Sequence, residues 1–289
     1  MQFWQSIART PTDQIVPLAR HAEALGFTGV TMADHLVMPV TMKSSYPYAG
    51  GGRGATDQGT PYLDPWLLCA YVARKTESLR FLPYVYVPAL RDPFSVAKSI
   101  STTALLTGDR LLVGIGVGWM EEEFALVDRP FAGRGRRTDE LMAVVDELLS
   151  GQMVEHHGEH YDFGPVQMAP VPRQAPPVLV GGHSPVALRR AAKARGWLGV
   201  SYDLDAVFPI LEAIRVLRSE LGRSDEPFEA AVALNARPEP EDLLRLEEAG
   251  LTMWVNPVRV RRDGTPPSLD ERRAALDRVA ERLIVPLGG

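Results

Sequence analysis

Asp34 and His35 stand together at the end of a short apolar run, Phe27 to Ala33. A carboxylate beside an imidazole can share proton handling near neutral pH. Taken alone, the pair reads more simply as a capping Asp next to a packed His. The glycines of Gly114-Ile115-Gly116-Val117-Gly118 follow a second apolar run and precede Trp119 to Phe124, which can open a helix. Such a turn lets a ligand approach backbone N–H groups closely, although tight packing at a barrel corner would use the same residues. It is not a dinucleotide fingerprint, because Trp119 or Glu121 stands where a Gly is needed. Gly181-Gly182-His183-Ser184 follows Pro177 to Val180 and precedes a helix opening near Pro185. Free N–H groups and the positive helix end coincide there, as in a phosphate cradle or an ordinary strand-to-helix turn. The Lys and Ser/Thr of a P-loop are absent, which argues against an NTPase.

Arg129, Arg134, Arg136 and Arg137 cluster beyond the Gly-Trp turn, and Arg189 and Arg190 lie one to two helical turns past the double Gly. Guanidiniums in such number suit an anionic tail, but Asp139 and Glu140 are near enough to pair with them as solvated surface. His156, His157 and His160 lack a cysteine or acid at zinc spacing and read as a solvated hairpin, so no metal is expected. Neither a G-x-S-x-G elbow nor an H-E-x-x-H helix occurs, which leaves serine hydrolases and zincins without support. A glycosidase needs only two rim carboxylates, and Asp34 with Glu122 would supply them.

These residues sit in a repeating cycle of short apolar strand and amphipathic helix. The first unit shows how it is specified: Thr10 as N-cap, Pro11 at the first helical position, then Ile15, Leu18, Ala19, Ala22 and Leu25 on one face, with Gly26 as the left-handed stop. The pattern predicts strands near 2–7, 28–33, 81–87, 111–116, 177–181, 198–202, 228–234 and 252–256. Helices are predicted near 11–25, 64–77, 93–106, 135–150, 185–195, 204–221, 239–249 and 268–283. Eight strand–helix units imply an α/β fold, a (β/α)8 TIM barrel, with a doubly wound open sheet as the alternative. One domain spanning 1–289 is expected, with rim insertions at about 36–62 and 151–174. Long loops in a compact domain are usually lids or binding loops.

The chain has 289 residues and a formal net charge of −5, with no extended Lys/Arg face, so a nucleic-acid partner is not expected. Cys69 is the only cysteine, which excludes a disulfide framework and suits a reducing, cytoplasmic compartment. No apolar run reaches the roughly 18 residues of a membrane span, and MQFWQSIART lacks the order of a signal peptide.

The segments AEALGFTGVTMADH, LDPWLLCAYVARKTESLRF, RDPFSVAKSISTTALLTGDRLLVGIGVGWMEEEF, RGRRTDELM and PPVLVGGHSPVALRRAA follow one another in an order that resembles the bacterial luciferase-like superfamily. More closely, they are similar to its oxidoreductases that use coenzyme F420, the 8-hydroxy-5-deazaflavin. The resemblance covers about residues 1–200, and the remainder matches only in strand–helix rhythm. It implies a luciferase-like barrel in which Asp34 and His35 lie beside the cofactor ring. Pro83 to Tyr86 matches the strand-three bulge, with a non-prolyl cis peptide at Tyr84-Val85 against the ring and Tyr86 following. Gly116, Gly118, Trp119 and Glu122 match the turn over the ring edge, and Gly181, Gly182, His183 and Ser184 the phosphate turn. His35 and Glu122 become the catalytic candidates. Ala194-Arg195-Gly196-Trp197 departs from the Gly-Asp-Gly-Trp of many relatives, which leaves the substrate side open. The resemblance thus implies hydride exchange between F420 and a small organic substrate. An FMN-dependent monooxygenase of the same superfamily and a cofactor-binding protein without turnover are the alternatives. Dimeric relatives imply a homodimer; the 36–62 loop is expected to cover the substrate side of the cofactor, with a subunit contact as the competing role.

Overall fold

The computed structural model describes residues 1–48, 60–258 and 265–288. Eight parallel strands form the barrel: β1 (Gln2–Ser6), β2 (Gly29–Met32), β3 (Arg80–Pro83), β4 (Val113–Ile115), β7 (Val178–Gly181), β8 (Gly196–Tyr202), β9 (Glu229–Leu234) and β10 (Met253–Asn256). Between β4 and β7, a two-stranded antiparallel hairpin, β5 (Met153–His157) and β6 (Asp162–Gln167), stands apart from the barrel. The barrel order is β3-β2-β1-β10-β9-β8-β7-β4. β3 and β4 close the circle: Leu112 N–H donates to Phe81 C=O, and Tyr86 N–H to Gly114 C=O, each at 2.8 Å. Closure removes both sheet edges and decides against the doubly wound alternative.

The alternation of side chains explains why these short runs become barrel strands. Trp4, Leu82, Leu112, Leu179, Leu198, Ala231, Met253 and Val255 point inward and pack on one another as the buried barrel interior. Their neighbours, such as Phe3, Phe81, Val180, Val232 and Trp254, point outward into a larger layer beneath the helices. A strand buried on both faces reads as a continuous apolar run, which is why the strands are legible in the sequence. Each buried Leu, Val, Phe or Met among them contributes roughly 1.5–3 kcal/mol relative to exposure.

The outer ring comprises α1 (Thr12–Ala24), α2 (Pro65–Ala73), α3 (Pro93–Thr107), α4 (Glu121–Leu126), α5 (Arg134–Leu149), α6 (Pro185–Lys193), α7 (Leu204–Glu220), α8 (Pro240–Glu248) and α9 (Leu269–Val279). Their ends are chemically specified. Asp64 accepts from Trp66 N–H and Leu67 N–H at 2.9 Å to open α2, and Asp92 accepts from Ser95 N–H at 2.8 Å to open α3. α1 begins one residue later than Thr10 would set it, with Pro11 at the N-cap and no side-chain cap. Gly26 takes the left-handed conformation expected after α1, with φ of 85°. Strand β8 starts at Gly196, two residues before the sequence expectation, and α6 is correspondingly shorter.

Candidate active site at the barrel mouth

His35 follows β2 at the C-terminal end of the barrel, the end at which barrel enzymes place their chemistry. Its Nδ1 lies 2.9 Å from Oε2 of Glu123 on α4, and Oε1 of the same carboxylate accepts from Leu36 N–H at 2.8 Å. Glu123 is only 3% exposed, so its charge acts where water screens little. The carboxylate beside His35 is therefore Glu123, while Glu122, the catalytic candidate of the sequence reading, is bonded to the loop instead. Consecutive helical residues point about 100° apart, and the neighbouring side chain faces another way. Glu122 Oε1 accepts from Lys43 N–H at 2.5 Å and Ser44 N–H at 3.1 Å, which clasps the 36–62 insertion to α4. Burial pushes the Glu122 carboxyl up, but the Ser44 hydroxyl and these N–H groups outweigh it and hold its pKa at about 2.

Asp34 is buried behind the mouth. Both its oxygens accept from Arg91, at 2.7 and 2.8 Å, and Oδ2 also accepts from Val87 N–H at 3.1 Å. Burial raises its pKa against the pull of Arg91. With both oxygens engaged and Glu122 on the loop, the carboxylate pair required by the glycosidase alternative does not form. Asp34 instead ties the end of β2 to the segment following β3, and Arg91 lies over the Tyr86 ring at 4.3 Å.

Between β3 and β4 the Tyr84–Val85 peptide is cis, as the resemblance implied. Tyr84 N–H donates to Met32 C=O at 2.6 Å and its hydroxyl to Gly199 C=O, while Tyr86 is paired to β4. Val85 is wedged between two strand ends. A Cβ on Gly116 would lie 2.7 Å from one Val85 methyl, and a Cβ on Gly181 3.1 Å from the other. Glycine at these positions lets three strand ends converge at the mouth.

The Gly181–Ser184 turn leads into α6, with Ser184 as the N-cap accepting from Ala187 N–H at 3.2 Å. Gly182 has φ of 124°, and a Cβ there would sit 2.8 Å from the Ala187 Cβ. The turn thus presents backbone at the N-terminus of a nine-residue helix, where an anion is favoured. His183 is exposed beside it.

A chain of edge-on aromatic contacts crosses the mouth. Tyr62 meets His35 at 4.9 Å and His35 meets Trp119 at 6.1 Å. Trp119 meets Tyr46 at 5.2 Å, Tyr46 meets Tyr48 at 5.4 Å, and Tyr48 meets His183 at 5.3 Å. His183 in turn meets Tyr202 at 6.3 Å. Burial pushes the Tyr46 hydroxyl up to about 12, so it stays neutral. The described part of the insertion therefore spans from the strand-four turn to the phosphate-type turn, while its glycine-rich stretch, 49–59, lies outside the described residues.

The arginines divide. Arg134 donates to Gly118 C=O at 2.9 Å and covers the Phe131 ring, and buried Arg137 donates to Pro130 C=O at 2.7 Å. Arg190 pairs with Asp139, whereas Arg136 and Arg189 are exposed. Glu140 accepts from His160 N–H and Tyr161 N–H and so holds the hairpin. His156 is not solvated as expected: it lodges between Glu140 at 3.5 Å and Glu147 at 3.4 Å. No group able to hold a metal ion occurs among the described residues. No helix among them is long and apolar enough to cross a membrane.

Residues from four strand ends meeting over one closed parallel barrel make this a (β/α)8 barrel enzyme site. The chain belongs to the luciferase-like monooxygenase family, which it matches over residues 3–281. An uncharacterised protein of Mycobacterium tuberculosis is 36% identical over 90% of both chains. The F420-dependent hydroxymycolic acid dehydrogenase of the same organism is 27% identical, covering 87% of this chain and 68% of its own. Among solved structures, the coenzyme F420-dependent tetrahydromethanopterin reductase of Methanopyrus kandleri superposes with a TM-score of 0.77 over 99% of both chains, at 16% identity.

Proposed function

We propose that the protein is an F420-dependent oxidoreductase that exchanges a hydride between the deazaflavin and a small organic alcohol or carbonyl compound. The His35–Glu123 pair at the mouth carries this reading. The F420 dependence of related dehydrogenases supports the choice of cofactor.

The residues fit such a group. Gly116 leaves room beside Val85, Trp119 meets His35 edge-on, and Gly181, Gly182, His183 and Ser184 offer a turn for a phosphate at the start of α6. The Tyr48 hydroxyl stands 3.7 Å from the position a Cβ on Gly182 would take, so Tyr48 borders this turn. When bound, the deazaflavin supplies two-electron hydride chemistry, and the protein's part is binding, orientation and proton handling. An alcohol must lose its hydroxyl proton as hydride leaves its carbon, and a carbonyl must gain one in the reverse direction. Glu123 holds His35 through Nδ1, which assigns proton exchange with the substrate oxygen to Nε2. Asp34 keeps the strand end in place without touching the proton.

Mixing the protein with oxidised F420 and a panel of short secondary alcohols, and following loss of the deazaflavin's visible absorbance, tests the reaction. Turnover in wild type with loss in His35→Asn at unchanged F420 affinity supports it. Binding of F420 without hydride exchange across alcohol and carbonyl panels in both directions would instead make the chain a cofactor-binding protein.

A further inference from the structure

The turn after β1 opens on the same end of the barrel as His35. Thr10 N–H donates to Ile7 C=O at 3.3 Å to close it, and Arg9 within it has φ of 55°. This left-handed backbone is unfavourable for a long side chain, and such positions gather at ligand-binding sites. Arg9 is half-buried, and its guanidinium takes part in no hydrogen bond or ion pair among the described residues. By contrast, Arg91 is committed to Asp34 and Arg134 to the Gly118 carbonyl.

The neighbours of Arg9 belong to the His35 side of the mouth. β1 pairs directly with β2, the strand that leads into His35. Arg9 and Tyr62 border a common gap, and Tyr62 meets the His35 ring edge-on at 4.9 Å. Burial pushes the Tyr46 hydroxyl up to about 12, and the Arg9 charge is near enough to oppose that shift. Tyr46 in turn rests on Trp119, which meets His35. The phosphate-type turn lies elsewhere. In the closed order β3-β2-β1-β10-β9-β8-β7-β4, β1 and β7 are four strands apart in either direction. Arg9 and the Gly181–Ser184 turn therefore stand on opposite sides of the mouth. A phosphate on that turn leaves Arg9 without a counter-charge, and a half-buried unpaired cation favours a ligand that brings an anion.

We propose that Arg9 selects the substrate by charge: the alcohol or carbonyl compound carries a carboxylate, which Arg9 binds while the reacting oxygen meets His35. This assignment rests on the hydride exchange proposed above and narrows its substrates to small hydroxy and oxo acids. A single guanidinium matches a singly charged carboxylate, which it binds through two parallel N–H···O bonds.

Isothermal titration of the full chain with lactate and with 3-hydroxybutyrate, each against its neutral methyl ester, tests the assignment. Loading the chain with reduced F420 prevents hydride transfer from the alcohol during the titration, and a parallel series without cofactor makes the test independent of F420 binding. At least one acid should bind roughly tenfold or more tighter than its ester, the usual weight of a charge-assisted hydrogen bond. Arg9→Gln should abolish that preference and Arg9→Lys keep part of it, both with the wild-type circular dichroism. Turnover with oxidised F420 is read separately: an acid preference that depends on Arg9, found without turnover, supports the anion site and removes the hydride exchange. Equal binding of acid and ester in wild type would overturn the proposal. A preference for the acid that survives in Arg9→Gln would do the same.

Discussion

His35 and Glu123 are 88 residues apart in the chain and share a 2.9 Å hydrogen bond at the barrel mouth. The contact joins the end of β2 to the first turn of α4, and the same carboxylate also holds Leu36 N–H. The imidazole is therefore fixed in orientation by a buried acid.

Two substitutions separate the roles of this pair. His35→Asn should lower turnover by roughly 10²–10⁴-fold, the usual contribution of a positioned acid or base, while F420 affinity changes little. Glu123→Gln should lower kcat with KM nearly unchanged, and Glu123→Asp should restore part of it. Steady-state kinetics with cofactor titration decides; equal losses in Gln and Asp variants accompanied by a lowered Tm would indicate a structural role only.

Glu122 should behave differently from its neighbour. Its carboxyl is held at about 2, below the ordinary value of 4.5, by the Ser44 hydroxyl and the Lys43 and Ser44 backbone. A depressed pKa means that the ionised form is favoured by the folded loop, so the clasp is fully present above pH 4.5 and is lost as pH falls through 2. Trp119 fluorescence reports it, because Tyr46 rests on that ring at 5.2 Å. Glu122→Gln should give the loosened signal at pH 7 and abolish the acid transition, with kcat affected far less than in Glu123→Gln.

The strands and glycine turns are legible in the sequence because each has a local cause: an apolar run buried on both faces, or a glycine where another strand end leaves no room for a Cβ. Gly116 and Gly181 against Val85 show this directly. The acid partner of His35 is not legible, because Glu121, Glu122 and Glu123 are identical side chains whose directions depend on where α4 starts. Arg91 was missed for a related reason. Its pairing with Asp34 spans 57 residues and follows from barrel closure, which no local pattern encodes. The arginines gathered near the phosphate-type turn also part in three dimensions, since Arg134 and Arg137 are used on backbone carbonyls.

Asp34→Asn leaves Arg91 half-buried without its counter-charge. Removing one partner of a buried pair costs about 3–5 kcal/mol, so chemical denaturation should show a loss of that order. If the variant is as stable as wild type and only turnover falls, Asp34 acts in chemistry and not as the tie between β2 and the segment after β3.

Gly182→Ala should weaken the phosphate-type turn. The residue has φ of 124°, and its new methyl would meet Ala187 at 2.8 Å. Backbone strain of this kind costs on the order of 1–3 kcal/mol, so F420 affinity should fall about tenfold or more while the far-ultraviolet spectrum is retained. Unchanged affinity would move the phosphate away from this turn.

The cofactor decides between the two chemistries that the family fold accommodates. Titrating the purified protein with F420 and, separately, with FMN, and following cofactor fluorescence, measures this directly. The account predicts saturable F420 binding, with FMN at least about tenfold weaker, a difference of roughly 1.4 kcal/mol. Micromolar FMN binding with no F420 binding would contradict it.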